Sequence, residues 1–258
     1  MKTVIFAGGI GSRISEESIS KPKPMIGIGA HPILWHIMKI FHSQGHREFV
    51  ICLGYKGYMI KEYFLNYFLH NSDITINTRD NKLTVHQSAL DDFTVTLVDT
   101  GEETRTAGRL RRVAEYVKGE RFFLTYGDGV ADIDLGALLK THHDQGLTAT
   151  MTIVQPEGKF GAVEAEEGGR VLNFKEKPRG DGHWINGGFF VLEPGVFNYL
   201  DEHADQQMWE DEPLEKLTAA GQLAAYRHKG FWRCMDAMRD KVILEELWNK
   251  GNAKWKLW

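Results

Sequence analysis

The sequence predicts an α/β fold with a mixed, mostly parallel sheet that is flanked by helices. Segments with the pattern of buried strands alternate along the chain with helical segments, and this alternation is typical of a parallel-rich sheet covered by helices. The first buried strand, Lys2–Ala7, runs directly into the glycine-rich turn Gly8-Gly9-Ile10-Gly11. A strand that opens into such a turn exposes backbone N–H groups, which is typical of an α/β protein that binds phosphates.

The first half of the chain predicts strands and helices in turn. After Lys2–Ala7, Pro32 suits the first turn of a helix and Gly45 its end, which predicts a helix over Pro32–Gln44. Alternating apolar and polar residues predict a strand at Thr94–Asp99. The other elements predicted here are the strand Glu48–Leu53, the aromatic-rich helix Tyr58–Leu69, the helix Leu110–Val117 and the buried strand Arg121–Tyr126.

The second half continues the alternation and then becomes richer in strands. A helix is predicted over Leu135–Gln145 and a strand over Thr148–Val154. The later segments are predicted as strands separated by turns (Gly161–Phe174 and Trp184–Leu192), followed by helices (Trp209–Ala220 and Arg239–Asn249). The tail ends in Trp255 and Trp258, which we expect to pack on the body of the protein or on a neighbouring subunit.

Length and composition limit the function classes. The 258 residues fit one domain over 1–258, and the formal charge of −4 disfavours general nucleic-acid binding. No apolar run approaches membrane-spanning length, and the run Val4–Ala7 is too short for a signal peptide. Cys52 and Cys234 do not have the spacing of a metal site. We therefore expect a soluble cytoplasmic protein that binds neither membranes nor nucleic acid, with Cys52 as a buried apolar residue.

Positive charge accompanies the glycine-rich turn. By itself the turn is a weak signal, since it matches neither the dinucleotide fingerprint nor the Walker A loop. Arg13 follows it directly, however, and Lys23 lies in the tandem Lys21-Pro22-Lys23-Pro24, whose prolines are expected to hold Lys23 away from helix. Glycines followed by two cations predict a site for nucleotide phosphates.

Two carboxylates are candidates for a metal site. Asp128 stands between Gly127 and Gly129 at the end of a buried strand, and ligands of α/β sheets bind at that edge. The alternative is an ordinary Asp-Gly turn. Asp236 lies in a largely apolar segment, where a buried carboxylate needs a cation. Two carboxylates together with phosphate oxygens are typical ligands of magnesium.

Three further segments carry polar groups that suit a ligand. Glu176-Lys177-Pro178 follows a strand, although it could be a solvated turn. Asn186-Gly187-Gly188 joins an amide to two glycines, which lets a ligand approach the backbone. The arginines of Thr104–Arg112 could simply begin a basic helix, but arginine at a helix N-terminus opposes the helix dipole and needs an acidic partner or a phosphate.

Taken together, these motifs resemble those of the sugar-1-phosphate nucleotidyltransferases, in order and over nearly the whole chain. The matching motifs are Gly8-Gly9-x-Gly11-Ser12-Arg13, Lys21-Pro22-Lys23-Pro24-Met25, Gly127-Asp128-Gly129, Glu176-Lys177-Pro178, Asn186-Gly187-Gly188 and Asp236. The resemblance implies the Rossmann-like nucleotidyltransferase fold. It also implies a nucleotide-binding part over about 1–130, and a sugar-phosphate part with a small β subregion and the C-terminal helices over about 131–258.

The resemblance also implies a reaction and roles for individual residues. Segments such as Gly54-Tyr55-Lys56-Gly57-Tyr58 are most similar to family members that use CTP and glucose 1-phosphate. Arg13 and Lys23 would be catalytic, Asp128 and Asp236 would hold Mg²⁺, and the phosphate oxygen would need no general base. The residues implied to bind nucleotide are Ala7, Gly8, Gly9, Gly11, Ser12, Arg13, Lys23, Thr104, Arg109, Arg111 and Gly127. Those implied to bind the sugar phosphate are Glu176, Lys177, Asn186 and Gly187.

Some positions depart from the family pattern, and some alternatives stay open. Ser12 stands where Thr is usual, Gly27 where Glu is expected, Ala107 where Gly is expected and Cys234 where Pro is expected. None of these departures removes a group that the chemistry needs. A sister enzyme that uses UTP, dTTP or ATP is one alternative, and a non-catalytic nucleotide-sensing relative is another. The resemblance further suggests a homo-oligomer and a role in supplying sugars for bacterial surface polysaccharide.

Overall fold

The fold was analysed in a computed structural model, which describes residues 1–11, 14–88, 90–156, 162–175 and 183–258. Its strands are β1 (Thr3–Phe6), β2 (Gly27–Ile28), β3 (His31–Pro32), β4 (Glu48–Leu53), β5 (Ser72–Asn77), β6 (Lys82–Ser88), β7 (Thr94–Asp99), β8 (Phe122–Tyr126), β9 (Gly129–Ala131), β10 (Ala149–Val154), β11 (Ala162–Ala165), β12 (Val171–Lys175), β13 (Ile185–Leu192), β14 (Leu223–His228) and β15 (Trp232–Cys234). Its α-helices are α1 (Ser15–Ser18), α2 (Ile33–His42), α3 (Gly57–Leu65), α4 (Tyr67–His70), α5 (Thr106–Arg112), α6 (Leu135–Gln145), α7 (Glu212–Ala219) and α8 (Met238–Asn249).

Seven strands form the central sheet, in the order β14–β10–β13–β8–β1–β4–β7. Strand β1 pairs in parallel with β4 and β8, as do β4 with β7 and β10 with β14. Strand β13 runs antiparallel to both of its neighbours, β8 and β10. The predicted mixed, mostly parallel sheet is therefore confirmed.

Both faces of the sheet are covered, and this is why its central strands are largely apolar and buried. Successive side chains of a strand point to opposite faces. On β1, Ile5 packs into the cluster that includes α2, α6 and α8, whereas Val4 and Phe6 pack into the cluster that includes α5 and α7. Cys52 on β4 is fully buried, as predicted, and burial raises the pKa of its thiol to about 12.

Several predicted elements differ from the observed ones. The helix predicted over Tyr58–Leu69 is interrupted at Asn66, which separates α3 from α4. The helix predicted over Leu110–Val117 begins earlier, at Thr106 (α5), and its predicted second half is a 3₁₀ turn at Ala114–Tyr116. The hairpin β5–β6 and the strand β14 have no counterpart among the predicted elements.

The C-terminal tail packs on the body of the chain, as expected. Trp255 is fully buried, and its ring stacks on Phe231 with centroids 5.5 Å apart. Its indole Nε1–H donates to Nδ1 of His36 at 3.4 Å. The other ring nitrogen of His36, Nε2, lies 2.9 Å from the Ile28 carbonyl, which can only accept. These partners assign a neutral His36 with its proton on Nε2.

We predict that His36 makes stability fall as the pH is lowered. Burial, followed by the charges of His31 and Lys256, outweighs the hydrogen bond to Ile28 and lowers the pKa of His36 to about 4. The unfolded chain, with an ordinary histidine pKa near 6.5, binds the proton first. The contribution of His36 to the free energy of unfolding is therefore complete above about pH 6.5. It falls by about 3 kcal/mol between about pH 6.5 and pH 4. Urea unfolding of wild type and His36→Gln at each pH tests this. The difference between the two proteins should shrink as the pH falls, and a constant difference would contradict it.

In the described part of the chain, no helix is both long enough and apolar enough to span a bilayer.

Candidate active site

One cleft brings together most of the residues that the sequence predicts to bind nucleotide, sugar phosphate and metal. It has a volume of about 770 Å³ and lies at the carboxyl ends of β1 and β8. This volume is within the usual range for small-molecule sites. The predicted residues that line it are Ala7, Gly8, Gly9, Gly11, Lys23, Thr104, Arg109, Gly127, Asp128, Asn186, Gly187 and Asp236.

The glycine-rich turn follows β1 and needs glycine for two reasons. Gly11 has a φ of +70°, and a Cβ there would lie 3.1 Å from the Cβ of Lys23. At Gly8, a Cβ would collide with the guanidinium of Arg109. Glycine therefore lets the backbone of the turn pass between two cationic side chains.

Lys23 enters the cleft from a tight turn between two prolines. Pro22 is extended, with φ −67° and ψ 147°, but Lys23–Met25 forms a single 3₁₀ turn, so Lys23 is not held away from helical conformation as predicted. The turn is closed by the Met25 N–H, which donates to the Pro22 carbonyl at 2.8 Å. The turn directs the Lys23 ammonium toward the end of β8.

A short two-stranded sheet brings the two candidate metal-binding carboxylates together. Strand β15 pairs antiparallel with β9, with Cys234 opposite Gly129. Just beyond this pair, the Met235 N–H donates to the Asp128 carbonyl at 2.8 Å. Asp128 and Asp236, which lie far apart in sequence, therefore face the same part of the cleft.

The ammonium of Lys23 bridges the two carboxylates. Its Nζ donates to Oδ2 of Asp128 at 2.6 Å and to Oδ1 of Asp236 at 2.7 Å. Burial opposes the charge of Lys23, but the charge of Asp128 and the hydrogen bonds to both carboxylates outweigh it and raise the pKa of the ammonium. Lys23 is thus cationic at any working pH, and the pair of carboxylates already stabilises a positive charge.

The side chains around the Lys23 ammonium include donor atoms that suit a hard divalent cation. The side-chain donor atoms of Asp128, Cys234 and Asp236 all lie within 4.8 Å of one another. Burial, followed by the charges of the two aspartates, raises the pKa of Cys234, which keeps it a neutral thiol. Only the carboxylate oxygens are then good ligands for a hard cation, which is the chemistry that magnesium prefers.

Arg109 supports the glycine-rich turn by hydrogen bonding to its backbone. Its Nη2 donates to the Gly8 carbonyl at 3.1 Å, and its Nη1 donates to the Leu53 carbonyl at 2.9 Å and to the Thr100 hydroxyl at 2.7 Å. The guanidinium also donates to the carbonyls of Gly101 and Glu102. Most of the N–H groups of the guanidinium therefore donate to acceptors of the protein itself, although Arg109 also lines the cleft.

We predict that Arg109→Met lowers the free energy of unfolding by about 2–3 kcal/mol, because hydrogen bonds from a charged donor to buried carbonyls are lost. Arg109→Lys should lose less, since the charge remains while the planar fork is removed. Urea unfolding without ligand measures both variants. Wild-type stability in Arg109→Met would contradict this supporting role and leave ligand binding as the function of the side chain.

Asn186 and Gly187, near the start of β13, also line the cleft. The Asn186 side chain is held at both ends, since its Oδ1 accepts from the Gly188 N–H at 2.8 Å and its Nδ2 donates to the Tyr126 hydroxyl at 3.1 Å. The Gly187 carbonyl accepts from the indole N–H of Trp232 at 2.7 Å. A polar edge of fixed orientation therefore faces the cleft here.

The structure does not place every predicted site residue in the cleft. Arg111 is exposed on α5 and does not line it. Ser12, Arg13, Glu176 and Lys177 lie outside the described residues. Their roles stay predictions.

Sequence reasoning missed several residues that line the cleft, among them Arg105, Tyr126, Met208 and Trp232. Arg105 precedes α5 and supplies a cation at the helix start, where the basic segment was predicted to act. The family resemblance implied a nucleotide-binding role for Arg111 and not for Arg105. Tyr126 and Trp232 carry no sequence signal beyond their positions two residues before Asp128 and four residues before Asp236.

Comparison with known proteins shows the family to which this chain belongs. The family model described as nucleotidyl transferase matches residues 2–240. This chain belongs to the nucleotidyl transferase family. A glucose-1-phosphate cytidylyltransferase of Salmonella typhi is 55% identical over 259 residues, and a protein of Bacillus subtilis (strain 168) described as "Probable glucose-1-phosphate cytidylyltransferase" is 43% identical over 258 residues. Both alignments cover 100% of this chain and 100% of the relative.

A solved structure with the same fold is HddC from Yersinia pseudotuberculosis complexed with GMP-PN. It has a TM-score of 0.69 and 22% sequence identity, over 96% of this chain and 99% of that one. At this identity the likeness concerns the fold. This chain, with its mixed sheet, therefore has the same fold as that solved structure.

Proposed function

We propose that the chain is a glucose-1-phosphate cytidylyltransferase, which uses CTP and glucose 1-phosphate to make CDP-glucose and pyrophosphate. The observation that carries the proposal is the position of Lys23 between Asp128 and Asp236 in the cleft beside the glycine-rich turn. This arrangement combines a phosphate-binding turn, a fixed cation and two oxygen ligands for a metal. The choice of CTP and glucose 1-phosphate is supported by the two full-length relatives.

In the proposed reaction, a phosphate oxygen of glucose 1-phosphate attacks the α-phosphorus of CTP. A new P–O bond forms there, the bond from the α-phosphorus to the oxygen of the β-phosphate breaks, and pyrophosphate leaves. The attacking oxygen is already ionised near neutral pH, so no general base is required. The barrier comes from bringing two anions together, and catalysis consists mainly of alignment and neutralisation of charge.

Each part of the cleft has a task in this reaction. The backbone N–H groups of Gly8, Gly9 and Gly11 face the triphosphate, and Lys23 neutralises charge at the α-phosphate. Asn186 and Gly187 hold the sugar. The predicted roles of Arg13 at the triphosphate and of Glu176 and Lys177 at the sugar phosphate complete the proposal.

Asp128 and Asp236 would hold Mg²⁺, the metal we propose for this site. When bound, Mg²⁺ neutralises and orients phosphate oxygens. The same carboxylates contact Lys23, so their negative charge would stabilise both the ammonium and the metal. The neutral thiol of Cys234 is not part of this ligand set.

Pyrophosphate release with Mg²⁺ and glucose 1-phosphate tests the proposal when CTP, UTP, dTTP, ATP and GTP are compared in parallel. Strong release with CTP, absent when glucose 1-phosphate is omitted, is expected. Release that favours another nucleotide would keep the chemistry but overturn the cytidylyl assignment. Release with none of the five would refute the proposed function.

A further inference from the structure

Two hydrogen bonds from different strands fix the start of β13. From β8, the hydroxyl of Tyr126 accepts from Nδ2 of Asn186 at 3.1 Å. From β15, the indole Nε1–H of Trp232 donates to the Gly187 carbonyl at 2.7 Å. Both aromatic side chains also line the cleft. The two residues proposed to hold the sugar are therefore each held by an aromatic side chain.

We propose that Tyr126 and Trp232 are positioning residues for the sugar phosphate, with Tyr126 acting through the amide of Asn186 and Trp232 through the carbonyl of Gly187. This inference rests on the proposed function, because that function places the sugar at Asn186 and Gly187.

The amide of Asn186 has a single orientation that satisfies its neighbours. Its Oδ1 accepts from the Gly188 N–H at 2.8 Å while Nδ2 faces the Tyr126 hydroxyl. A flipped amide would place an NH₂ group against the Gly188 N–H, where two donors would face each other. Among the hydrogen bonds of the described residues, Nδ2 uses one of its two N–H groups. The other can donate to a hydroxyl oxygen of the sugar.

Tyr126 can serve as this acceptor because its hydroxyl oxygen has lone pairs that accept a hydrogen bond. The ring also fits closely against the backbone of β13, since a Cβ at Gly188 would lie within 3.0 Å of Tyr126 ring atoms. Tyr126 is therefore fixed in place and fixes Asn186 in turn.

Trp232 connects the backbone of Gly187 to the strand that leads into Asp236. It lies on β15, the strand that leads into Asp236, and it pairs there with Ala131 of β9. Its one indole N–H is spent on Gly187. The backbone that receives the sugar is thereby joined to the segment that carries a proposed metal ligand. Loss of this bond would loosen the position of the sugar-binding backbone relative to the segment that carries Asp236, and small errors in such positions are costly in rate.

Steady-state kinetics of Tyr126→Phe and Trp232→Phe test the inference. Each variant should raise KM for glucose 1-phosphate about tenfold, the effect of one lost hydrogen bond. KM for CTP should stay within about twofold of wild type, because a positioning role at the sugar does not reach the base. Trp232→Phe should also lower kcat about tenfold, because it loosens the link to the segment that carries Asp236. A purely structural role would change both KM values together or neither.

A double-mutant cycle sharpens the test. In an Asn186→Ala background, Tyr126→Phe should have no further effect on KM for glucose 1-phosphate, whereas Trp232→Phe should keep its effect. Tyr116→Phe and Trp248→Phe serve as matched controls, since neither side chain lines the cleft. If Trp232→Phe does not fold, Tyr126→Phe, which removes a single oxygen atom, decides.

The outcomes separate this inference from the proposed function. Two results would overturn the positioning role: unchanged KM values in both variants, or a further effect of Tyr126→Phe when Asn186 is already Ala. Neither result would affect the proposed function, since the wild-type enzyme would still turn over CTP and glucose 1-phosphate. A wild-type enzyme that does not turn over CTP and glucose 1-phosphate would refute the proposed function itself, and the positioning role with it.

Discussion

Asp128→Asn is expected to lower the rate of CDP-glucose formation with Mg²⁺ by about 10²–10³-fold, the usual cost of removing one preorganised electrostatic group. Asparagine keeps the shape of the side chain and one oxygen but removes the charge that would hold the cation. Folding should be little affected, because Lys23 keeps its hydrogen bond to Asp236. The free energy of unfolding should change by less than about 1 kcal/mol.

Three measurements make this test specific. The rate is measured across a range of Mg²⁺ concentrations, Mn²⁺ binding is followed by electron paramagnetic resonance in the presence of CTP, and urea unfolding reports stability. Asp144→Asn is the matched control, since Asp144 is an exposed aspartate paired with Lys140. A normal rate in Asp128→Asn would show that Asp128 is not a metal ligand. A large loss of stability would favour a structural role.

Lys23→Met is expected to lower kcat by about 10²–10³-fold, because the ammonium neutralises charge that develops as the bond to the α-phosphate forms. Methionine retains much of the length and apolar volume of the lysine side chain. The substitution also leaves the carboxylates of Asp128 and Asp236 facing each other without the ammonium that bridges them. Stability without metal should therefore fall, and Mg²⁺ should restore part of it, since the ion can take the place of the lost charge.

Lys39→Met provides the matched control for this variant. The side chains of Lys39 and Lys23 are equally exposed, at 12%, and Lys39 forms its own ion pair with Asp91 at 2.5 Å. Lys39→Met should lose stability but keep its turnover number. If Lys23→Met likewise lost only stability and kept its kcat, Lys23 would be a structural ion pair and the catalytic role would be wrong.

The sequence allowed the fold class and the centre of the site to be predicted because both depend on local patterns. Residues that directly follow a buried strand, such as the glycines after β1 or Asp128 after β8, are predicted to lie at the carboxyl edge of the sheet. This prediction does not require the order of the strands. Lys23 could likewise be predicted from its own short segment, although its 3₁₀ conformation could not. Asp236 could be predicted from its place in a largely apolar segment and from the family resemblance, while its contact with Lys23 depends on the pairing of β15 with β9.

The parts that sequence reasoning missed depend on contacts between distant segments or on the exact start of an element. Arg105 immediately precedes α5, which begins four residues before the predicted helix, and it lines the cleft. Arg111, which the family resemblance implied, is exposed further along α5. Tyr126 and Trp232 reach β13 through hydrogen bonds that span 60 and 45 residues. No periodicity within a single segment encodes such pairs.

The most direct test of the proposed reaction is to follow the atoms of the sugar phosphate. The enzyme is incubated with CTP, Mg²⁺ and glucose 1-phosphate that carries ¹⁸O in its three terminal phosphate oxygens, and the products are analysed by mass spectrometry. We predict CDP-glucose that retains all three labelled oxygens, together with an equal amount of unlabelled pyrophosphate. Failure to form CDP-glucose, or the appearance of the label in pyrophosphate, would contradict the proposed attack on the α-phosphorus of CTP.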